Sequence, residues 1–250
     1  MRFDILTVFP DMLKGVLLES VIGNAVENNI IDIRFHNIRD FSTNKHRKTD
    51  DTPFGGGRGM VMTPQPVIDC HRSVTEGEEH VHTVYMSPQG KVLTQEKAKE
   101  LAKLERLVIL CGHYEGFDER IIESIVDEEI SIGDYVLTGG EMPAAVLVDC
   151  ISRMIPGVLP EAECYENESI ASGILEYPQY TRPRDFEGME VPEILFSGHH
   201  ANIEKWRREK ALEKTLRVRP ELLESAPLTK KDIQFLEKLK KEITSEGEGE

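Results

Sequence analysis

Apolar positions along the chain alternate between two spacings. Residues 4–8 form a short apolar run of the kind a strand makes, and Leu13, Leu17, Val21 and Ala25 then recur every four residues, as on one helix face. Residues 31–35 alternate apolar and polar side chains, which predicts a half-buried strand. Residues 81–86 and 107–111 are β-rich runs separated by a helical segment around Ala98, Leu101 and Ala102. Helices are expected over residues 118–126 and 141–154, with a strand near 129–132 between them. Pro143 falls in the first turn of the later helix, where its missing N–H costs nothing. Strands alternating with helices point to an α/β fold with a mostly parallel sheet covered on both faces. In such sheets the ligand site lies in loops beyond the carboxyl ends of the strands.

Around Pro160 the pattern changes. Residues 161–168 are acidic and aperiodic, so a domain of residues 1–160 is expected to end there in a flexible linker over 161–174. Residues 175–250 read as a smaller helical domain. Within it, Thr229 and Asp232 resemble a helix-start pair, and Ile233, Leu236, Leu239 and Ile243 make one apolar stripe.

Composition narrows the function classes. A 39% hydrophobic, 30% charged chain of 250 residues is a folded globular protein. No apolar run reaches the roughly 18–20 residues of a membrane helix, and the first residues lack the design of a signal peptide. A cytoplasmic protein with no membrane partner is therefore expected. Cys70, Cys111, Cys150 and Cys164 have neither zinc nor redox spacing and read as buried reduced thiols. A net charge of −15 argues against a protein that coats nucleic acid, so any RNA contact must come from local basic patches. Two exist. Lys45-His46-Arg47-Lys48 precedes the glycine-rich Phe54-Gly55-Gly56-Gly57-Arg58-Gly59-Met60, which is either a surface loop or part of a phosphate contact. Lys205-Trp206-Arg207-Arg208-Glu209-Lys210, with Lys214, Arg217 and Arg219, is the second. Trp206 there is a packing residue or a base-stacking one.

Three glycine-containing loops stand at predicted strand ends: Ser87-Pro88-Gln89-Gly90, Gly112-His113-Tyr114-Glu115-Gly116, and Ile132-Gly133-Asp134-Tyr135-Val136-Leu137-Thr138-Gly139-Gly140. Each alone reads as a turn, whereas three at successive strand ends favour one shared ligand pocket. None has the spacing of a P-loop or of a dinucleotide fingerprint.

These loops carry a family resemblance. Gly112-x-Tyr114-Glu115-Gly116-x-Asp118-Glu119-Arg120, Ser131-Ile132-Gly133-Asp134-Tyr135-Val136-Leu137-x-Gly139-Gly140-Glu141 and Tyr180-Thr181-Arg182-Pro183 resemble the bacterial tRNA (guanine-N1)-methyltransferases. So do Asp50-Asp51-x-Pro53-x-Gly55-Gly56-Gly57, Arg153-x-Ile155-Pro156-Gly157-Val158-Leu159 and Glu187-Gly188-Met189-Glu190-Val191-Pro192. The matching blocks run in order from Phe9-Pro10 to Leu222-Leu223, nearly the whole chain.

The resemblance implies a knotted (trefoil) α/β methyltransferase domain followed by a small helical domain that grips the anticodon branch of tRNA. It implies a homodimer with active sites between subunits, S-adenosylmethionine as methyl donor and Mg²⁺ as a further cofactor. The target would be the guanosine just 3′ of the anticodon. By the same resemblance the cofactor would be held by Tyr85, Met86, Ser87, Pro88, Gln89 and Gly90, by Gly112, Tyr114, Glu115 and Gly116, and by Ile132, Gly133, Asp134, Tyr135, Val136, Leu137, Gly139, Gly140 and Pro143. A related enzyme acting on another base, or a non-catalytic RNA-binding protein, would be the alternatives.

The chemistry sets two further requirements. Guanine N1 is protonated at neutral pH, so methylation there needs a general base, and charge that develops toward O6 needs a donor. The resemblance assigns the donor to Arg153. It assigns the base to Glu168, where the family usually carries an aspartate; Glu166 is the nearest competitor. A carboxylate in water is a weak base at neutral pH, so the role requires burial when substrate binds. Glu115 is the candidate contributor to the Mg²⁺ site, although no ligand cluster with metal spacing surrounds it.

Overall fold

The computed structural model describes residues 1–161, 165 and 168–247. The chain divides into two compact units, Met1–Ala162 and Glu163–Glu250. No helix among the described residues is long and apolar enough to cross a membrane.

The first unit is built on a five-stranded parallel sheet of β1 (Arg2–Thr7), β2 (Asp32–Asn37), β5 (Thr83–Val92), β6 (Arg106–Cys111) and β7 (Glu128–Ser131). Its strand order is β2-β1-β6-β5-β7. A small antiparallel pair, β3 (Asp50–Asp51) and β4 (Val61–Met62), stands apart from it. Side chains of a strand alternate between faces. Leu6, Val108, Leu110 and Tyr85 thus cluster with Val67, Cys70 and Val74 of α3 (Pro64–Thr75) and Ile121 of α5 (Glu119–Ile125). Against the opposite face lies α6 (Glu141–Ser152), flanked by α1 (Pro10–Leu17) and α4 (Gln95–Leu101). The expected α/β architecture with a covered parallel sheet is present.

Two expectations change in detail. The four-residue stripe through Leu13, Leu17, Val21 and Ala25 is not one helix but two, α1 and α2 (Ser20–Glu27). The first helix ends at Leu17 with Leu18 as its cap, and Ser20, in a left-handed backbone of φ 55°, starts the second in a new phase. Leu13, Leu17 and Ala25 stay buried, while Val21 is turned to solvent and Ile22 takes its place inside. The second change concerns residues 87–90. Met86 and Lys91 both pair with Ile130, so the segment loops out as a bulge inside β5 instead of ending the strand. Gly90 returns the chain against the Glu129 backbone, where a Cβ would collide with the neighbouring peptide.

The second unit packs α7 (His200–Val218) on α8 (Lys230–Gly247), with a two-stranded hairpin of β8 (Asp185–Phe186) and β9 (Met189–Glu190). Its core holds Ile174, Ala211, Leu212 and Leu236. Thr229 and Asp232 do start α8: the Thr229 N–H donates to Asp232 Oδ2 at 2.8 Å and the Asp232 N–H to Thr229 Oγ1 at 3.2 Å. The buried arc of α8 centres on Leu236 and Leu239, so Ile233 falls at its margin and is 46% exposed, while Phe235 joins the core.

Cys70 and Cys111 are buried and free, and Cys150 is half-buried and free. Cys164 lies outside the described residues. Burial pushes the Cys70 thiol up to about 12 and the Cys111 thiol well above its ordinary value. Both are therefore protonated and inert, as expected of packing cysteines.

One buried carboxylate ties three strands together. Asp4 of β1 is fully buried and accepts from His36 of β2 at 2.7 Å, from Arg2 at 2.8 Å and from Arg106 Nε of β6 at 2.8 Å. Arg106 also reaches Glu78 and the Val74 carbonyl. Burial alone would raise the Asp4 carboxyl; its hydrogen bonds to His36, Arg2 and Arg106 outweigh that and hold it at about 2. The folded-state value is depressed, so the network's contribution is present above the unfolded value and disappears as pH falls from about 4 toward 2. Asp4→Asn should cost about 3 kcal/mol in urea denaturation at neutral pH, because it leaves a buried arginine short of a partner. The gap between the two proteins should shrink steadily on acidification through that window. A pH-independent gap would mean the carboxylate charge is not what the network uses.

Candidate active site

The carboxyl ends of β5, β6 and β7 meet in one open cleft of the first unit. Tyr85, Met86, Ser87, Pro88 and Gln89 line it from β5 and its bulge, and Gly112, Tyr114, Glu115 and Gly116 from the segment after β6. Ile132, Gly133, Tyr135, Val136, Leu137, Gly139, Gly140 and Pro143 close it from the segment between β7 and α6. Seventeen of the nineteen residues expected at a cofactor site thus line one cavity. Gly90 is not among them, since it sits under β7. Asp134 is also absent from the lining and is exposed.

Close backbone approach shapes this cleft. The Gly140 N–H donates to the Gly112 carbonyl at 2.7 Å, and His113 and Gly139 form an isolated bridge. A Cβ on Gly140 would stand 2.8 Å from Cys111 Cα, so only glycine lets the start of α6 lie this close to the end of β6. Tyr85 forms part of the wall, its ring edge-on to Phe117 at 4.9 Å. Burial, then the nearby Glu129 charge, pushes its hydroxyl up to about 12, so it stays a neutral donor. Tyr114 holds a left-handed backbone, φ 58°, which costs a non-glycine residue about 1–2 kcal/mol. Hydrogen bonds on either side hold it there: Glu115 N–H to the Met60 carbonyl and Gly116 N–H to the His113 carbonyl, both 3.0 Å. Tyr135 and Val136 stand 55% and 81% exposed at the lip, where a ligand would cover them.

Several residues at the cleft carried no separate signal in the sequence. His113, Ile130, Ser131 and Thr138 also line it. Ser131 could have been found from Gly133 two residues on, because its hydroxyl bonds that backbone in a small turn, at 3.0 and 3.1 Å. Behind the wall, Glu141 is buried at the first position of α6. Thr7 Oγ1 donates to it at 2.7 Å, and His113 Nδ1 lies 3.8 Å away. A carboxylate at a helix N-terminus is favoured by the helix dipole. The glycine-rich stretch 54–60 joins β3 to β4 and packs Gly59 directly against the Glu115 side chain. It therefore borders the cleft, while Phe54 at its tip is fully exposed.

Arg153 lies elsewhere. It caps the C-terminal end of α6, half-buried beside Val16, Glu19, Asp149 and Leu159. Pro143 and Gly140 of the cleft lie at the other end of that 12-residue helix, about 18 Å along its axis. Glu168 belongs to the second unit and is half-buried, its carbonyl accepting from the Ser172 N–H at 3.1 Å. Glu166 lies outside the described residues. The described stretch of the expected linker is not featureless: Ser169 and Glu176 bond each other three times at 3.0–3.3 Å, and Ile174 is buried.

The basic zone on α7 is largely neutralised by its own helix. Arg207 pairs with Glu204 at 2.7 Å, Lys210 with Glu213 at 2.8 Å, Arg217 with Glu213 at 3.4 Å and Lys205 with Glu209 at 3.7 Å. Arg208 instead bonds Asp232 of α8 at 3.1 Å. Trp206 borders a hollow with Phe235 and Leu239, and its ring lies 6.5 Å from that of Tyr180.

Comparison with known proteins supplies the family. Residues 1–225 match the family model described as tRNA (Guanine-1)-methyltransferase TrmD. Three curated proteins named tRNA (guanine-N(1)-)-methyltransferase are similar over nearly their whole length. That of Ruminiclostridium cellulolyticum is 60% identical over 91% of this chain and 98% of its own. That of Alkaliphilus metalliredigens is 55% identical over 96% and 99%, and that of Dictyoglomus turgidum 50% identical over 98% and 99%. A methyltransferase family implies S-adenosylmethionine as the donor, and the chain belongs to the tRNA (guanine-1)-methyltransferase family.

Proposed function

We propose that this protein transfers the methyl group of S-adenosylmethionine to N1 of the guanosine just 3′ of the anticodon of tRNA, in the cytoplasm. The observation that carries this reading is the cleft itself. Three loops at adjacent parallel strand ends converge on it in a chain that matches the family over residues 1–225. The close Gly112–Gly140 approach fits a bent ligand held against backbone groups. We read the three loops, together with the tuck of 139–140 onto the end of β6, as the trefoil knot of the family; an experimental chain trace tests it.

When bound, S-adenosylmethionine supplies an electrophilic methyl group on a positively charged sulfur. The chain must do the rest. The Glu168 carboxylate takes the N1 proton of guanine, so that the N1 electron pair can form the new bond. The Arg153 guanidinium donates toward O6 as negative charge collects there. The second unit binds the anticodon branch, and phosphates displace the carboxylates that now pair its cations. Exposed pairs of this kind are worth about 0–1 kcal/mol each, so exchanging them costs little. Glu115, the carboxylate lining the cleft, would help hold Mg²⁺, which would offset negative charge developing on the RNA.

We read the protein as a homodimer. Arg153 is a helix length from the cleft of its own chain, and in this reading a second copy brings it to the methyl group. An apolar face is available for that contact: Met12 and Val16 on α1 and Met142 and Val146 on α6 are each about half exposed, and the two helices pack together. Val146→Glu should convert a sedimenting dimer to monomer and abolish methyl transfer. A monomeric wild type, or a dimeric and active variant, would refute that arrangement.

The reaction is tested with labelled S-adenosylmethionine and two tRNA transcripts differing only in guanosine or adenosine after the anticodon. Label should enter the first alone, and chelation of Mg²⁺ should suppress it. Label on both transcripts or neither would reject the proposed target.

Glu168→Gln should lower turnover by at least a hundredfold while leaving S-adenosylmethionine affinity unchanged. Near-normal turnover would remove Glu168 from the role of base.

A further inference from the structure

The carboxyl ends of β5 and β7 build the cleft; their amino ends carry a different cluster. His80 and His82 precede β5 two residues apart; Val81 between them is buried in the core, while His80 is exposed and His82 half-buried. Asp127 immediately precedes β7 and faces them. One ligand atom from each of the three residues lies within 4.8 Å of the others, and no second such group exists among the described residues.

We propose that His80, His82 and Asp127 form a binding site for a divalent transition-metal ion of the zinc class. His80 Nε2 stands 3.3 Å from Asp127 Oδ1, and His82 Nδ1 stands 3.9 Å from Asp127 Oδ2. Both separations exceed a good hydrogen bond. The first equals the spacing of about 3.3 Å between ligand atoms of a tetrahedral site with bonds of about 2.0–2.1 Å. The second closes to it with a small side-chain rotation. Two imidazoles and one carboxylate favour zinc, cobalt or nickel over magnesium or calcium. His80 is exposed, and the cluster opens onto a hollow bordered by Glu79 and Glu123, which leaves the fourth position to water and draws cations to it.

The surroundings of His82 strengthen the assignment. Its Nε2 lies 2.8 Å from Glu128 Oε1, and Glu128 is held in turn by Lys97 Nζ at 3.1 Å. An ionised carboxylate only accepts, so Nε2 carries a proton toward Glu128 and Nδ1, on the Asp127 side, is the nitrogen left to ligate a metal. Metal-binding histidines are oriented by such a carboxylate on their far nitrogen. Asp127 is fixed likewise: its Oδ2 accepts from the Thr83 N–H at 2.7 Å, while its own N–H donates to the Thr83 carbonyl at 2.9 Å. A bound ion would therefore clamp the amino ends of the two strands whose other ends border the cleft.

The test uses tag-free, chelator-stripped full-length protein titrated with Zn²⁺ by calorimetry and with Co²⁺ by visible absorption. One equivalent should bind, give the intense visible bands of tetrahedral cobalt, and raise the thermal midpoint. Mg²⁺ should not compete. His80→Ala and Asp127→Asn should each abolish binding, whereas Glu128→Gln, which keeps every ligand, should weaken it about tenfold or more. His80→Ala and Asp127→Asn should also lose the zinc-dependent rise in thermal midpoint, and all three variants should keep normal methyl transfer. Absence of a stoichiometric site in the wild type would overturn the proposal. So would binding that survives His80→Ala and Asp127→Asn, and an unchanged affinity in Glu128→Gln would show that the cluster is not organised as a site.

Discussion

The first unit depends on how closely the start of α6 approaches the end of β6. The Gly140 N–H to Gly112 carbonyl bond of 2.7 Å leaves no room for a side chain at residue 140. It anchors the long segment after β7 onto the neighbouring strand end, so three loops converge where strand spacing alone would hold them apart. It also sets the position of α6, and thereby of Glu141, whose buried carboxylate needs the Thr7 hydroxyl and the helix N-terminus to be tolerated. A side chain at Gly140 would thus disturb the cleft, the helix and a buried polar contact together.

Because α6 is anchored at one end, its other end is placed too. Pro143 and Gly140 belong to the cleft, while Arg153 caps the far terminus beside the exposed apolar face of α1 and α6. A rigid helix keeps these two elements apart within one chain. The proposed role of Arg153 and the proposed dimer therefore stand or fall together.

The sheet was legible in the sequence because its signal is local. Apolar runs at 107–111 and 4–8 and the alternation at 31–35 report burial residue by residue. What escaped was set by backbone geometry. The single stripe through Val21 looked continuous because spacing cannot register the break after Leu17, from which Ser20 starts a second helix. The bulge at 87–90 looked like a strand end because proline and glycine mark a turn whether or not the chain resumes pairing afterwards. The candidate site was legible as loops, since glycine at strand ends is a local feature. Its supporting contacts, Thr7 with Glu141 and Gly59 with Glu115, join residues 134 and 56 positions apart, and no pattern in the chain pairs them. Roles for Arg153 and Glu168 came from family motifs alone, because an arginine at a helix end and a glutamate in an acidic stretch look the same in any protein.

The two ends of the parallel sheet solve opposite problems. At the carboxyl ends the chain uses glycine and exposed aromatic edges, which leaves backbone groups reachable and little fixed charge besides Glu115. At or near the amino ends it places charge in bonded chains: Asp4 with Arg2 and Arg106, joined by His36 from farther along β2, and His82 with Glu128 and Lys97. Such networks brace β1, β2 and β6 on one side and β5 and β7 on the other. An open cleft contributes little cohesion of its own, since its loops must accept a ligand. Rigidity therefore has to come from the opposite edge, where polar side chains cross from strand to strand without obstructing a site. The same logic makes the amino ends of β5 and β7 the place where an ion could stiffen the cleft without touching its chemistry.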